Sequence, residues 1–173
     1  MLDTENLCLR PWREDDLRVF TAMRNDVGLQ SQLLGRVRGS NPEQVREWLR
    51  ARSNEPDKLF FVISTREEDQ ACGYLQVDNM NFVDGYADLG ICLIRECRSR
   101  GLCVKAINLL ANYLRDHWNL RKLCLKVRSD NVAAITCYKR AGFNQCGTLR
   151  KHVFVDGNWH DLFMMEYFLV EAP

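Results

Sequence analysis

The chain has 173 residues, enough for one domain with a sizeable core and too few for two. Its 24 basic and 23 acidic residues leave a formal net charge of +1, so no bulk field favours nucleic acid or an anionic membrane, and any anion recognition has to be local. The first thirty residues carry several acidic groups and no apolar run, and nowhere is there a stretch of about 18 apolar residues that could span a bilayer; a soluble, cytoplasmic protein is expected.

Leu7-Cys8-Leu9-Arg10 reads as a short strand that Pro11 ends at a sheet edge. Glu14, Asp15 and Asp16 suit the first turn of a helix whose Leu17, Phe20 and Met23 share one face. Residues 28–39 form a long uncapped segment, either a site loop or a connector. Asn41-Pro42-Glu43-Gln44 predicts a strong helix start: Asn41 caps, Pro42 fits the first helical position, and Gln44 reaches back as in a capping box. Val45, Trp48 and Leu49 then face inward.

From Leu59 the periodicity changes. Residues 60–64 and 72–77 read as an antiparallel hairpin across the charged turn 66–70, and 86–94 as a further buried strand after Asp84-Gly85. Leu102, Cys103, Ala106, Ile107, Leu110 and Leu114 make one helical stripe. Residues 122–127 alternate and are expected to cross back parallel to the strand before that helix. A short helix over 131–141 is expected to be capped by Ser129 or Asp130 and stopped by Gly142. Two long strands joined at Asp156-Gly157 close the chain, and the final one offers an edge for pairing in a homodimer. The expected fold is a single α/β domain of α+β type over residues 1–173, with a mixed, mainly antiparallel sheet of about seven strands and about four flanking helices.

The eight cysteines (Cys8, Cys72, Cys92, Cys97, Cys103, Cys124, Cys137 and Cys146) lie mostly inside apolar patterns, with no Cys-x-x-Cys pair, and are expected to be reduced core residues. His117, His152 and His160 have no metal-like spacing, so no metal site is expected.

The chain is organised around residues 95–106, a cationic, glycine-punctuated turn between a strand and a helix. The first N–H groups of such a helix have no internal partners, the helix dipole places positive charge there, and Gly101 lets the backbone approach phosphate oxygens. This is an anion site, with Arg98 and Arg100 expected to flank a diphosphate.

The turn Arg98-Ser99-Arg100-Gly101-Leu102-Cys103, followed on the next helix by Asn131, Ala134, Tyr138 and Gly142-Phe143, resembles the paired motifs of the GNAT superfamily of acetyl-CoA-dependent N-acetyltransferases. The order of elements resembles that family over essentially the whole chain. Gly147 and Arg150 before the Asp156-Gly157 hairpin, with Asp161 after it, resemble the branch holding ribosomal-protein N-terminal, spermidine and nucleotide-amino-sugar acetyltransferases. Cys103 departs from the motif, which has Gly or Ala there.

The resemblance implies that acetyl-CoA lies between the strand ending at Ile91-Cys92-Leu93 and the strand 122–127, held by the Arg98–Cys103 turn, Asn131 and Ala134. An N–H near Leu93 would polarise the thioester carbonyl. Tyr138 would be the general acid, since a phenol of pKa about 10 holds its proton at neutral pH. Asp88 is the best single candidate for the general base, with His152, His160, Asp161 or a water relay as alternatives. Asn131 either bonds the pantetheine or simply caps its helix.

For the acceptor, Arg36, Arg38, Arg150 and Lys151 make a basic local balance, and Arg36, Arg38, Arg150 and His152 are taken as substrate-binding residues. The expected function is transfer of an acetyl group, by direct attack in a ternary complex, to a primary amine of a small molecule, with an amino-sugar derivative favoured, or to a protein N-terminus. A polyamine acetyltransferase and a non-catalytic acyl-CoA-binding regulator are the alternatives. A thiol enzyme using one of the cysteines has little support.

Overall fold

In the computed structural model, residues 1–4, 6–67 and 69–170 are described; Glu5, Glu68 in the expected 66–70 turn, and the last three residues of the expected domain lie outside the description. Among the described residues, eight strands form one sheet: β1 (Leu2–Asp3), β2 (Leu7–Arg10), β3 (Leu59–Thr65), β4 (Ala71–Asn81), β5 (Tyr86–Leu93), β6 (Lys122–Arg128), β7 (Asn144–Val155) and β8 (Asn158–Phe168). The helices are α1 (Leu17–Asn25), α2 (Val27–Gln32), α3 (Pro42–Asn54), α4 (Leu102–Trp118) and α5 (Val132–Arg140). Among the described residues no helix is long and apolar enough to cross a membrane.

The strand order is β1-β2-β3-β4-β5-β6-β8-β7. All neighbours are antiparallel except β5 and β6, which the α4 crossover makes parallel, as the alternation in 122–127 predicts. The final strand is not an edge. β8 pairs β6 on one side and β7 on the other, so the edge on which the dimer expectation rested is already occupied. Pairing order is a tertiary outcome that the hairpin turn alone leaves open. That turn itself is as expected: Asp156 and Gly157 both take positive φ, 48° and 78°, which matches the twist of two adjoining strands.

Period-two alternation divides β3, β4 and β5 between two cores. Ile63, Leu75, Val77, Leu89 and Ile91 pack with the α4 stripe of Ala106, Ile107, Leu110 and Leu114. On the other face Phe60, Val62, Tyr74 and Cys92 pack with Phe20 and Met23 of α1 and Val45 and Leu49 of α3. Phe60 and Tyr74 stack with centroids 5.2 Å apart beneath Phe20 and Trp48. The α3 capping box is present: Asn41 Oδ1 accepts from the Gln44 N–H and Gln44 Oε1 from the Asn41 N–H, both at 2.9 Å. Within the expected loop 28–39 the chain instead makes the short helix α2, whose cap Asp26 accepts from the Leu29 N–H at 2.8 Å.

Candidate active site

β5 and β6 pair only at Tyr86–Lys122, Ala87–Leu123 and Asp88–Cys124. Beyond Asp88 they part, and a cleft of about 1870 Å³ opens there and runs on past α1 and α2 to the turn after β2. It is lined by Asp88, Ile91, Cys92, Leu93, Arg98, Ser99, Gly101, Leu102, Cys103, Asn131, Ala134 and Tyr138, so the structure brings these sequence-chosen residues together; Arg100 does not line it. The separation leaves the outward polar groups of β5 past Asp88 without a β6 partner.

Part of the cleft lining is the turn that opens α4. Gly101 caps α4 with φ 73°, a left-handed conformation that strains other residues, and the first internal bond of the helix runs from the Lys105 N–H to Gly101 O at 3.2 Å. The N–H groups of Leu102, Cys103 and Val104 are therefore free of intrahelical partners. Arg98 turns its Nε back onto Leu93 O at 3.0 Å, pinning the turn to the end of β5.

Asn131, rather than Ser129 or Asp130, caps α5: its Oδ1 accepts from the Ala134 N–H at 3.2 Å. Tyr138, one turn beyond Ala134, is 8% exposed and packs edge-on against Phe143 while still lining the cleft. Burial, with a smaller contribution from Cys92, pushes its phenol up to about 12, so it keeps its proton at every physiological pH.

The opposite wall carries residues that sequence reasoning did not select. Asp78 of β4 stands directly across from Asp88 of β5, and Gln76 across from Gly90. Without a Cβ on Gly90 the Gln76 side chain lies flat over β5, where an added Cβ would meet Gln76 Cγ at 3.0 Å, and its Nε2 donates to Asp78 Oδ2 at 2.9 Å. Its Oε1 is buried with no donor among the described residues. Arg52 of α3 pairs with Asp78. Just after Asp78 the β4 register shifts, Asn79 takes φ 53°, and its Nδ2 donates to Asp88 Oδ2 at 2.9 Å. A bulge beside a site commonly re-aims a side chain in this way. The signal available in the sequence was the spacing Tyr74, Gln76, Asp78, which puts polar groups on a face that is otherwise buried.

The residues chosen for the acceptor lie elsewhere. Arg36, Arg38, Arg150 and His152 are exposed and none lines the cleft. Arg36 bonds Phe154 O and, at 2.7 Å, Gly35 O, tying the segment after α2 to the β7–β8 hairpin. Asp161 accepts from the Lys151 N–H at 2.7 Å, and His160 Nδ1 lies 3.3 Å from Asp130 Oδ2, away from the cleft.

The cysteines depart from the expectation at one place. Cys103 of α4 and Cys137 of α5 are joined as a disulfide, with Cα atoms 6.7 Å apart. They are 34 residues apart and meet because the start of α4 packs beside α5, a contact no local spacing reveals. Cys8, Cys72, Cys92 and Cys97 are free and buried, Cys124 half-buried and Cys146 exposed.

The cleft suits a nucleotide thioester: helix N–H donors without intrahelical partners can take a diphosphate, the gap between β5 and β6 can admit a narrow pantetheine arm, and Asp88 and Tyr138 both line it. The chain belongs to the GNAT acetyltransferases: that family, described as "Acetyltransferase (GNAT) domain", matches residues 6–144. It is thereby an acetyl-CoA-dependent acyltransferase, as the paired motifs imply. Among its relatives, it is 24% identical to spermidine N(1)-acetyltransferase of Escherichia coli (strain K12), over 95% of this chain and 87% of that one. It is 25% identical to a putative ribosomal N-acetyltransferase of Bacillus subtilis (strain 168), over 53% and 50%. The crystal structure of spermidine N-acetyltransferase from Vibrio cholerae in complex with CoA and spermine superposes with a TM-score of 0.87 at 22% identity, covering 96% of this chain and 97% of that one. The similarity to that structure is one of fold.

Proposed function

We propose that the chain acetylates a primary amine of a small polycationic acceptor, a polyamine rather than an amino sugar, with Asp88 as base and Tyr138 as hydrogen-bond donor to the departing sulfur. The observation that carries this reading is the β4–β5 wall. Asp88 and Asp78 face each other there, beside a buried Gln76 Oε1 that has no donor. Among the described residues Asp78 is matched by Arg52, while Asp88 accepts from the neutral amide of Asn79, so the wall has charge and acceptor capacity left for an ammonium. Polyamine acetylation by the Escherichia coli relative supports the same class. The arginines that favoured an anionic acceptor do not line the cleft.

An alkyl ammonium has a pKa of about 10.4, so exposing its neutral form at pH 7 costs roughly 4 to 5 kcal/mol. A carboxylate within reach can take that proton first, freeing the nitrogen lone pair for attack on the acyl carbon. Acetyl-CoA supplies an activated acyl carbon and a thiol leaving group. Its diphosphate would rest on the N–H groups of Leu102, Cys103 and Val104 and its pantetheine beside Asn131 and Ala134. Tyr138, held near 12, is a much weaker acid than a thiol near 8.5, so it supports negative charge on sulfur by donating a hydrogen bond without giving up its proton.

The test is release of free thiol from acetyl-CoA with spermidine, spermine, a nucleotide-linked amino sugar and an N-terminal peptide as acceptors. Turnover confined to the polyamines is expected. Turnover confined to the sugar or the peptide would overturn the acceptor class while leaving the transferase intact.

A further inference from the structure

We infer that Cys103 and Cys137 form a redox-active dithiol, a modification site that sets the affinity for acetyl-CoA according to whether it is oxidised or reduced. The two sulfurs join the helix that cradles the diphosphate to the helix that carries Tyr138. Cys103 is the second residue of α4, one of the three whose N–H groups are free. Cys137 immediately precedes Tyr138 on α5. The bound cofactor has to reach from the first-turn N–H groups to the Tyr138 hydroxyl, so its affinity depends on how α4 and α5 are spaced. The disulfide fixes that spacing.

Position also distinguishes this pair from the other thiols. Both residues are half-buried and line the cleft, so a small oxidant can reach them. A sulfur in the first turn of a helix faces unpaired N–H groups that stabilise the reacting thiolate. Cys72 and Cys92, in contrast, are pushed up to about 12, chiefly by burial, and stay inert. Cys124 is pushed upward as well, again chiefly by burial.

The chemistry closes with a peroxide as the two-electron oxidant. The Cys103 thiolate attacks one peroxide oxygen and the O–O bond breaks, giving a sulfenic acid and a hydroxide that takes up a proton as water. The Cys137 thiolate then attacks the sulfenic sulfur, the S–O bond breaks, and the second oxygen leaves as water with the remaining protons. One peroxide and two thiols give one disulfide and two waters. A dithiol reductant reverses it by two exchanges, becoming a disulfide itself.

Reduction replaces the covalent link between α4 and α5 by two separate thiols. The helices part, or a thiol swings into the cleft, and either change weakens the hold on the cofactor. The oxidised protein therefore binds acetyl-CoA more tightly, by about tenfold. Linkage requires the reverse effect of equal size: saturating acetyl-CoA makes the disulfide about tenfold harder to reduce, about 30 mV for two electrons.

The experiment is calorimetric titration of acetyl-CoA into the whole protein, first after brief peroxide treatment and then after reduction with a phosphine, which leaves thioesters intact. Thiols are counted under denaturing conditions in both states. Six are expected in the oxidised protein and eight in the reduced one, with Kd about tenfold higher in the latter. Cys137→Ser should show one affinity under both treatments, that of the reduced protein. Equal affinities for the two wild-type states, eight thiols after peroxide, or a redox response that survives in Cys137→Ser would each overturn the inference. The wild-type comparison needs no variant to fold.

Discussion

Asp88 and Cys124 are the last paired residues of β5 and β6, so the carboxylate of Asp88 marks the apex at which the sheet opens. A group at that point is fixed by strand pairing behind it and free of it in front. Asn79, turned by the β4 bulge, holds one oxygen at 2.9 Å, and among the described residues no side chain donates to the other. This is a suitable setting for a base.

Asp88→Asn should lower kcat/KM for a polyamine by about 10² to 10³, within the range of general base catalysis, and leave the Kd for acetyl-CoA unchanged. The pH profile is the sharper reading. Without the carboxylate, the rate should climb about tenfold per pH unit up to the acceptor's pKa near 10.4, as the neutral amine fraction does. A variant that keeps the wild-type profile would remove Asp88 from the chemistry.

Tyr138→Phe should lower kcat by roughly 10² and leave acetyl-CoA affinity within twofold, because the ring still packs on Phe143 and only the hydroxyl is lost. The phenol sits near 12 in the folded protein, so it remains protonated well above neutrality. The wild-type rate should therefore show no alkaline loss from this group below about pH 11. An alkaline decline centred near pH 9 that vanished in the phenylalanine variant would contradict the assignment.

Gly101→Ala tests the cradle. At φ 73° an alanine costs roughly 1 to 2 kcal/mol, which for a chain of this size lowers Tm by only a few degrees. No heavy atom lies within 4 Å of the added Cβ, so the larger effect should come from the methyl meeting the diphosphate. KM for acetyl-CoA should rise at least tenfold with kcat nearly unchanged. A variant with normal KM would separate the glycine from phosphate binding.

What was legible in the sequence was local. The Asn41–Gln44 box, the Asp156-Gly157 turn and the glycine that opens α4 each specify backbone within a few residues, and the structure has all three. The paired motifs around Gly101 and Tyr138 gave the cleft because they encode one supersecondary unit. Less local features were misread. α2 is only six residues long and lacks an apolar stripe, so 28–39 looked like a loop. The cap of α5 stays open in the sequence, because Ser129, Asp130 and Asn131 are all competent caps, and the structure uses Asn131. The wall opposite Tyr138 depends on the β4 register and its bulge, and Arg36 on a distant carbonyl. The Cys103–Cys137 contact depends on how two helices pack. None of these has a sequence-local cause.

Arg10 offers a test of the scaffold. It is 1% exposed, and its fork grips both oxygens of Asp16 at 2.8 and 2.9 Å while its Nε reaches Asp69 at 3.0 Å. Its own pKa is raised, chiefly by the Asp16 hydrogen bond. The link ties the end of β2 to the turn that leads into α1. Arg10→Met would leave Asp16 buried with only the Arg13 N–H at 2.8 Å, and removing one partner of a buried pair costs about 3 to 5 kcal/mol. Tm should fall by roughly 10 °C. Asp69 lies at the exposed end of the same network, and its hydrogen bond from Arg13 holds its carboxyl below the ordinary value of 3.8. A depressed carboxylate stabilises the fold above its unfolded pKa and loses that contribution as pH falls through the folded one. Wild-type Tm should therefore drop below about pH 4, and Asp69→Asn should flatten that drop. An Arg10→Met protein as stable as wild type, melted by circular dichroism at pH 7, would show the pair to be dispensable.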